Sequence, residues 1–436
     1  MRNTWLWLTL LLLSSCQTAS PRLWPRQPAG IEQALLSFRV YPRRDPGPLR
    51  VDLWAQSLDG RHQWPLTQSG RVAWWSRSNA DGPQNGAAIS LDGRRVAYAE
   101  KDETNRVVGP WSSLFVVDAD GTGRREIMKL RQLELPQGML TRGGSFVWSP
   151  DGTRLAFVLE SFPESREPGR DCALVSIHVV DVASGRVTPV LVAQRLGYTQ
   201  LLGWSSERDE LLLARACPEE FPMLQPDRHI PVLSSVRVSD GRVSTLPVKR
   251  PIASPDGTRV FMVGFSQQWA WRGVYRVEEG WPQEVGQEPG SLPWGVLTWY
   301  HRRPGGLLTA TPIVNQPSGG ECRGSTPGQK QLYRLEIPSG ARTLVRRDAS
   351  RLRVLAFSPD DTHALVEIVL GVSLDPPRHC GPGWRQQLYL VKREELESEL
   401  PVNALILRST PLGAPTGWPG ELNPRHIGWL NLGRRR

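Results

Sequence analysis

The chain has 436 residues, a formal net charge of +10 at pH 7, and 18 Trp, 41 Gly and 38 Pro, a balance that suits many short strands joined by tight turns. The positive charge is nearly all Arg, with only five Lys, and neither a basic face nor a known module accompanies it, which excludes a nucleic-acid partner. The apolar run "LWLTLLLL" at 6–13 falls short of the roughly 20 residues that span a bilayer, and no later segment is more apolar.

Arg2 followed by that run reads as an export signal. The next residues, Leu13-Ser14-Ser15-Cys16, resemble the lipobox of bacterial lipoproteins. The resemblance implies cleavage before Cys16, whose thiol then carries a diacylglycerol that anchors the protein to a membrane. Gln17 in place of an Asp implies sorting to the outer membrane, with the domain in the periplasm or at the cell surface. An ordinary signal peptide with a chance cysteine is the alternative. Residues 1–15 are therefore read as the signal peptide, and 16–33 as the lipidated cysteine and a flexible Pro-rich tether.

From residue 34 onward one phrase recurs. "AISLDGRRVAYAE" (88–100), "SFVWSPDGTRLAFVLE" (145–160), "IASPDGTRVFMVGF" (252–265) and "LAFSPDDTHALVEI" (355–368) each hinge two apolar strands on a Ser-x-Asp turn. Pro150 presets φ, Asp151 tolerates the bridge region, and Gly152 takes positive φ at the close. Degenerate copies stand at 203–214 and 297–310.

A second hairpin type alternates with the first, at 112–127, 175–190, 234–246, 272–285, 331–345 and 387–400, with a seventh near the start at 50–66. Two alternating hairpins per unit make a four-stranded antiparallel sheet, and a repeat of this size is a propeller blade. Six inner hairpins against seven outer ones leave the first outer pair incomplete. Strands at 34–42 and 425–431 supply what is missing, and the Gly-Trp of the latter echoes "LGWSS" at 202–206. The expected fold is an all-β propeller over 34–432, with seven blades and a C-terminal strand joining the N-terminal blade; six blades is the alternative. Residues 433–436 are a basic tail.

"FVWSPDGTRLAFV" followed by "LFVVDADGTG"-type hairpins resembles the TolB-type propeller repeat, a distant relative of WD repeats that also builds the propeller of prolyl oligopeptidases. The resemblance spans nearly the whole chain after the tether and implies a fold, not an activity. TolB's separate N-terminal α/β domain has no counterpart before these blades.

The search for chemistry finds no GxSxG elbow, HExxH, phosphate-cradling loop or Rossmann fingerprint. The seven histidines (62, 178, 229, 301, 363, 379, 426) are scattered and read as structural, and "DADGTG" (118–123) reads as a hairpin turn rather than a calcium loop. Trp148 and Trp204 precede inner turns and read as blade core; Trp74, Trp75, Trp111, Trp294 and Trp384 lie nearer loops. No catalytic residue, metal or cofactor is assigned.

Cys172, Cys217, Cys322 and Cys380 suit an oxidising compartment. Each falls in or beside a long loop linking the second and third strands of a blade, and all such loops emerge on one face of a propeller. Neighbouring blades then pair Cys172 with Cys217 and Cys322 with Cys380, since a disulfide needs Cα atoms within about 7 Å. The functional expectation is a non-catalytic, lipid-anchored scaffold of the bacterial envelope with a protein or peptide partner on the long-loop face. A propeller enzyme of lactonase or glycosidase type, with its site in the central channel, is the alternative; the inner strands "AIS", "VWS", "GWS", "IAS" and "AFS" lack the acids it would need.

Overall fold

The structure, a computed structural model, describes residues 30–41, 50–73, 86–101, 112–134, 139–163, 172–205, 208–217, 232–249, 252–253, 259–265, 270–278, 281–287, 295–301, 305–310, 331–336, 341–373, 383–416 and 426–432. Among them lie seven four-stranded antiparallel sheets. Blade 1 combines three strands of 33–65 with the strand His426–Asn431, and blades 2 to 7 follow at 87–129, 139–195, 198–249, 252–287, 295–346 and 352–416. Within each, strands stand in chain order from first to fourth, except that His426–Asn431 takes first place in blade 1.

Period-two alternation explains the sheets, because successive side chains serve opposite seams. In blade 3, Leu155, Phe157 and Leu159 enter the core shared with blade 2, while Ala156 and Val158 enter the core shared with blade 4. In blade 2, Val96 and Tyr98 face blade 1, and Ala97 and Ala99 face blade 3. Each such Leu or Phe, fully buried, contributes about 1.5–3 kcal/mol. Where blades 1 and 2, 2 and 3, 3 and 4, 4 and 5, and 6 and 7 meet, their first strands touch. The first strands therefore lie innermost.

The chain's two ends meet in blade 1. Gln33 to Leu36 pair antiparallel with Gly428 to Asn431, and Leu35 and Trp429 join Leu365, Leu390 and Leu412 of blade 7 in one core.

The recurrent phrase folds as local chemistry requires. Ser149 Oγ donates to Asp151 Oδ1 (2.5 Å) and accepts from Arg154 N (2.8 Å), while Gly152 sits at φ 66°. Ser57, Ser90 and Ser358 repeat the bond to Asp59, Asp92 and Asp360. Burial works against the Asp360 carboxylate, but bonds from Ser358 and Thr362 win and hold its pKa down to about 2.

Glycines seal the outer seams. In blades 1 to 4 the turn between third and fourth strands presses on the outermost strand of the neighbouring blade. Gly121 lies against the Pro65 carbonyl, Gly185 against Ile127, Gly241 against Val190, and Gly60 of blade 1 against Pro411 of blade 7. A Cβ at Gly185 would come within 2.8 Å of the Ile127 oxygen, at a φ of 71°. Gly185→Ala is therefore expected to destabilise by about 1–3 kcal/mol, read as a shift of the urea midpoint at unchanged m-value. A neutral substitution would show that the turn moves aside freely.

One expected hairpin is wrong. Residues 387–400 do not form two strands: after Gly383–Lys392 the chain forms two short helices, Arg393–Leu396 and Val402–Arg408, and the fourth strand of blade 7 is Thr410–Thr416. "REEL" and "NALILR" are rich in strong helix formers, and Pro401 sits at the N-cap of the second helix. The insertion docks on blade 6, where the buried Arg346 guanidinium donates to the carbonyls of Glu395, Leu396 and Leu400.

Candidate functional site: the long-loop face

Antiparallel blades place first-to-second and third-to-fourth connections on one face, and the rest on the other. On the first face they run two to six residues, apart from the insertion at 393–409. On the second they run to 21 residues between Gln63–Pro65 and Ala87–Ile89, and to 20 between Gly305–Ala310 and Gln331–Glu336. The second face is where this chain spends its variable length.

Two of the cysteines are joined there. Cys172 and Cys217 form a disulfide with Cα atoms 5.1 Å apart, and both are buried. Cys172 is separated from the third strand of blade 3 by Ala173, and Cys217 directly follows the second strand of blade 4. The bond thus ties the roots of connections 164–171 and 218–231. Beside it Gly197 N donates to Ala173 O (3.2 Å), and Thr199 N to the buried Glu160 Oε1 (2.8 Å). Cys16, Cys322 and Cys380 lie outside the described residues.

A second polar cluster, at the same face between blades 1 and 2, escaped the sequence reading. Asp52 Oδ1 accepts from Thr67 Oγ1 and Gly70 N, both at 2.9 Å. Glu100 Oε1 accepts from Ser69 Oγ (2.7 Å) and Arg124 Nη2 (3.0 Å), with Arg71 Nη2 3.5 Å from Oε2. Arg124 Nε also donates to the Tyr98 hydroxyl (2.6 Å). Burial pushes the Tyr98 phenol well above its ordinary pKa, so it stays protonated. Asp52 belongs to blade 1, Thr67 to Arg71 to the crossing between blades, and Tyr98, Glu100 and Arg124 to blade 2; the Glu100 bonds join residues 24 to 31 positions apart, and no motif marks them.

The tryptophans expected in the core are there. Trp148 and Trp204 are buried in seams, Trp148 Nε1 donating to Ala88 O of blade 2 (2.9 Å) and Trp204 Nε1 to Asp209 (3.0 Å). Each lies under an arginine of the preceding blade, Arg95 at 5.1 Å and Arg154 at 4.7 Å from the ring centroid. Trp74, Trp75, Trp111 and Trp294 fall outside the described residues, as do His229 and His379. His62 and His363 sit in Ser-x-Asp turns, and His178 stacks on Phe157 with burial holding its pKa below the ordinary value. Residues 118–123 form a hairpin turn, in which Asp120 accepts from Thr122 N (2.8 Å).

The seven first strands contain neither Asp nor Glu; their charged residues are Arg142 and Arg353, with His426 beside them. Among the described residues, no three His, Cys, Asp or Glu side chains group as metal ligands would.

No protein-family model matches the sequence, and no curated protein matches it. Among solved structures the chain is similar to an oligogalacturonate lyase from Vibrio parahaemolyticus, at 14% identity and TM-score 0.47 over 77% of this chain and 94% of that one. It is also similar to TolB from Acinetobacter baumannii, at 14% and 0.36 over 84% and 78%. A prolyl endopeptidase matches at 14% and 0.45, over 84% of this chain and 49% of that one. At these identities the likeness concerns fold alone: the chain is a β-propeller of four-stranded antiparallel blades, with TolB proteins among its structural neighbours.

Proposed function

We propose that the chain is a TolB-type propeller, held by a lipid on Cys16 in the bacterial envelope at the outer membrane, and that it serves as a non-catalytic scaffold whose long-loop face binds a protein or peptide partner. The observation that carries this reading is the Cys172–Cys217 disulfide. It supports an oxidising, extracytoplasmic address. It also fixes the roots of two long connections on one face, which is how a rigid base presents recognition loops. Neither Asp nor Glu stands on the first strands, which supports the scaffold reading over a carboxylate-driven site in the channel.

Labelling with a palmitate analogue tests the anchor. Wild type is expected to take the label and partition with membranes, while Cys16→Ala loses both. Equal labelling of the two proteins would overturn the lipoprotein assignment. Partner capture from detergent-solubilised envelope, with Phe221→Ala as the loop-face variant, tests the scaffold; capture undiminished by loop substitutions would move the binding site elsewhere.

A further inference from the structure

Between the outermost strand of blade 1 and the first strand of blade 2, residues 67–73 cross the seam, bending at Gly70 (φ 66°) before Arg71 and Val72 bridge to both sides. On the blade 1 side, Val51 N donates to Gly70 O (3.0 Å) and Val72 N to Val51 O (3.1 Å). On the blade 2 side, Ala73 N donates to Ala99 O (2.7 Å) and Lys101 N to Arg71 O (2.9 Å). The segment bridges in parallel at Val51–Arg71 and antiparallel at Val72–Glu100, so it sews two sheets together. Two buried carboxylates flank it: Asp52 of blade 1 holds Thr67 and Gly70, and Glu100 of blade 2 holds Ser69.

We propose that the 67–73 strap is a pH-responsive latch between the blade where the chain ends meet and its neighbour, tighter in acid than at neutral pH. Asp52 is the group that responds, because it alone of the two is seated wholly on strap donors. Its surroundings are Arg50 on its own strand, Arg71 on the strap, Tyr98 and Glu100 on the facing strand, and Arg124 beyond them. Burial holds the Asp52 carboxyl above its ordinary pKa, with the Glu100 charge adding, against the bonds from Gly70 and Thr67 and the charge of Arg50. A carboxyl raised in the folded state binds its proton more tightly there than in the open state. The latch is therefore strongest below the ordinary carboxylate range and weakens as pH rises through the raised value. The inference does not depend on the partner-binding reading.

Hydrogen exchange of the Val72, Ala73 and Lys101 amides in the full chain tests it, from about pH 4 to about pH 8 after correction for intrinsic exchange. The opening constant is expected to rise about tenfold with pH for each pH unit separating the Asp52 titration in the latched and open states. Asp52→Asn keeps an acceptor for Gly70 and is expected to abolish the slope. Arg50→Gln removes an opposing charge at the surface and is expected to move the midpoint upward. Wild-type protection that is flat with pH, or a slope that persists in Asp52→Asn, overturns the proposal. Should Asp52→Asn not fold, an unmoved midpoint in Arg50→Gln overturns it equally.

Discussion

Cys172→Ser is expected to lower the stability of the oxidised protein by about 4 kcal/mol, the chain-entropy value for a closed loop of this size; the bond spans 45 positions. That loop runs from the third strand of blade 3 through the second strand of blade 4, so it encloses a whole seam. Both sulfur-bearing residues are buried, and breaking the bond leaves the Gly197–Ala173 backbone bond and the Thr199–Glu160 bond beside it. Denaturant unfolding of Cys172→Ser, Cys217→Ser and the double variant should give the same loss in all three, since each breaks one bond. Additive losses would mean that the side chains matter through packing. A loss below about 1 kcal/mol would mean that the unfolded chain is already compact there.

Phe157→Ala is expected to cost about 3–5 kcal/mol, the range for deleting a buried aromatic ring. Phe157 is fully buried in the seam between blades 2 and 3, among Trp148, Leu155, Leu159 and Val116. Its ring stacks on that of His178 at 5.4 Å and 14°. His178 Nδ1 is buried without a hydrogen-bond partner among the described residues, and burial holds the imidazole below its ordinary pKa. The cavity left by the ring would admit water to it. The same variant should therefore raise the His178 pKa toward its ordinary value, a shift that NMR titration reads. Loss of stability with no change in that titration would show that the seam collapses onto the imidazole instead.

The blades were legible because their signals are local. A Ser-x-Asp-Gly turn carries its own hydrogen bonds within six residues, as Ser149 to Arg154 shows, and needs nothing from the rest of the chain. The Cys172–Cys217 pairing was legible once blades were placed side by side, since adjacency leaves few partners in reach. Residues 393–400 were misread because leucines spaced among Glu and Arg ("REELESEL") fit either a strand edge or a short helix; docking on Arg346 decides between them. The cluster of Asp52, Ser69, Glu100 and Arg124 was not legible at all. Glu100 and Arg124 meet when blade 2 folds, and Ser69 and Asp52 join them only when the seam with blade 1 closes.

The pairing of Ala34 with Leu430 joins residues 396 positions apart. Contacts this distant form slowly, because the entropy of bringing the ends together must be overcome before any pairing rewards it. The strand Gln33–Tyr41, synthesised long before its partner, keeps one edge open until residues 426–431 arrive. An unpaired edge of this kind is the part of a nascent chain that associates with other chains. Truncation before residue 426 would leave that edge permanently exposed, so the loss of residues 426 to 436 is felt first at the strand Gln33–Tyr41, as aggregation rather than as a smaller domain.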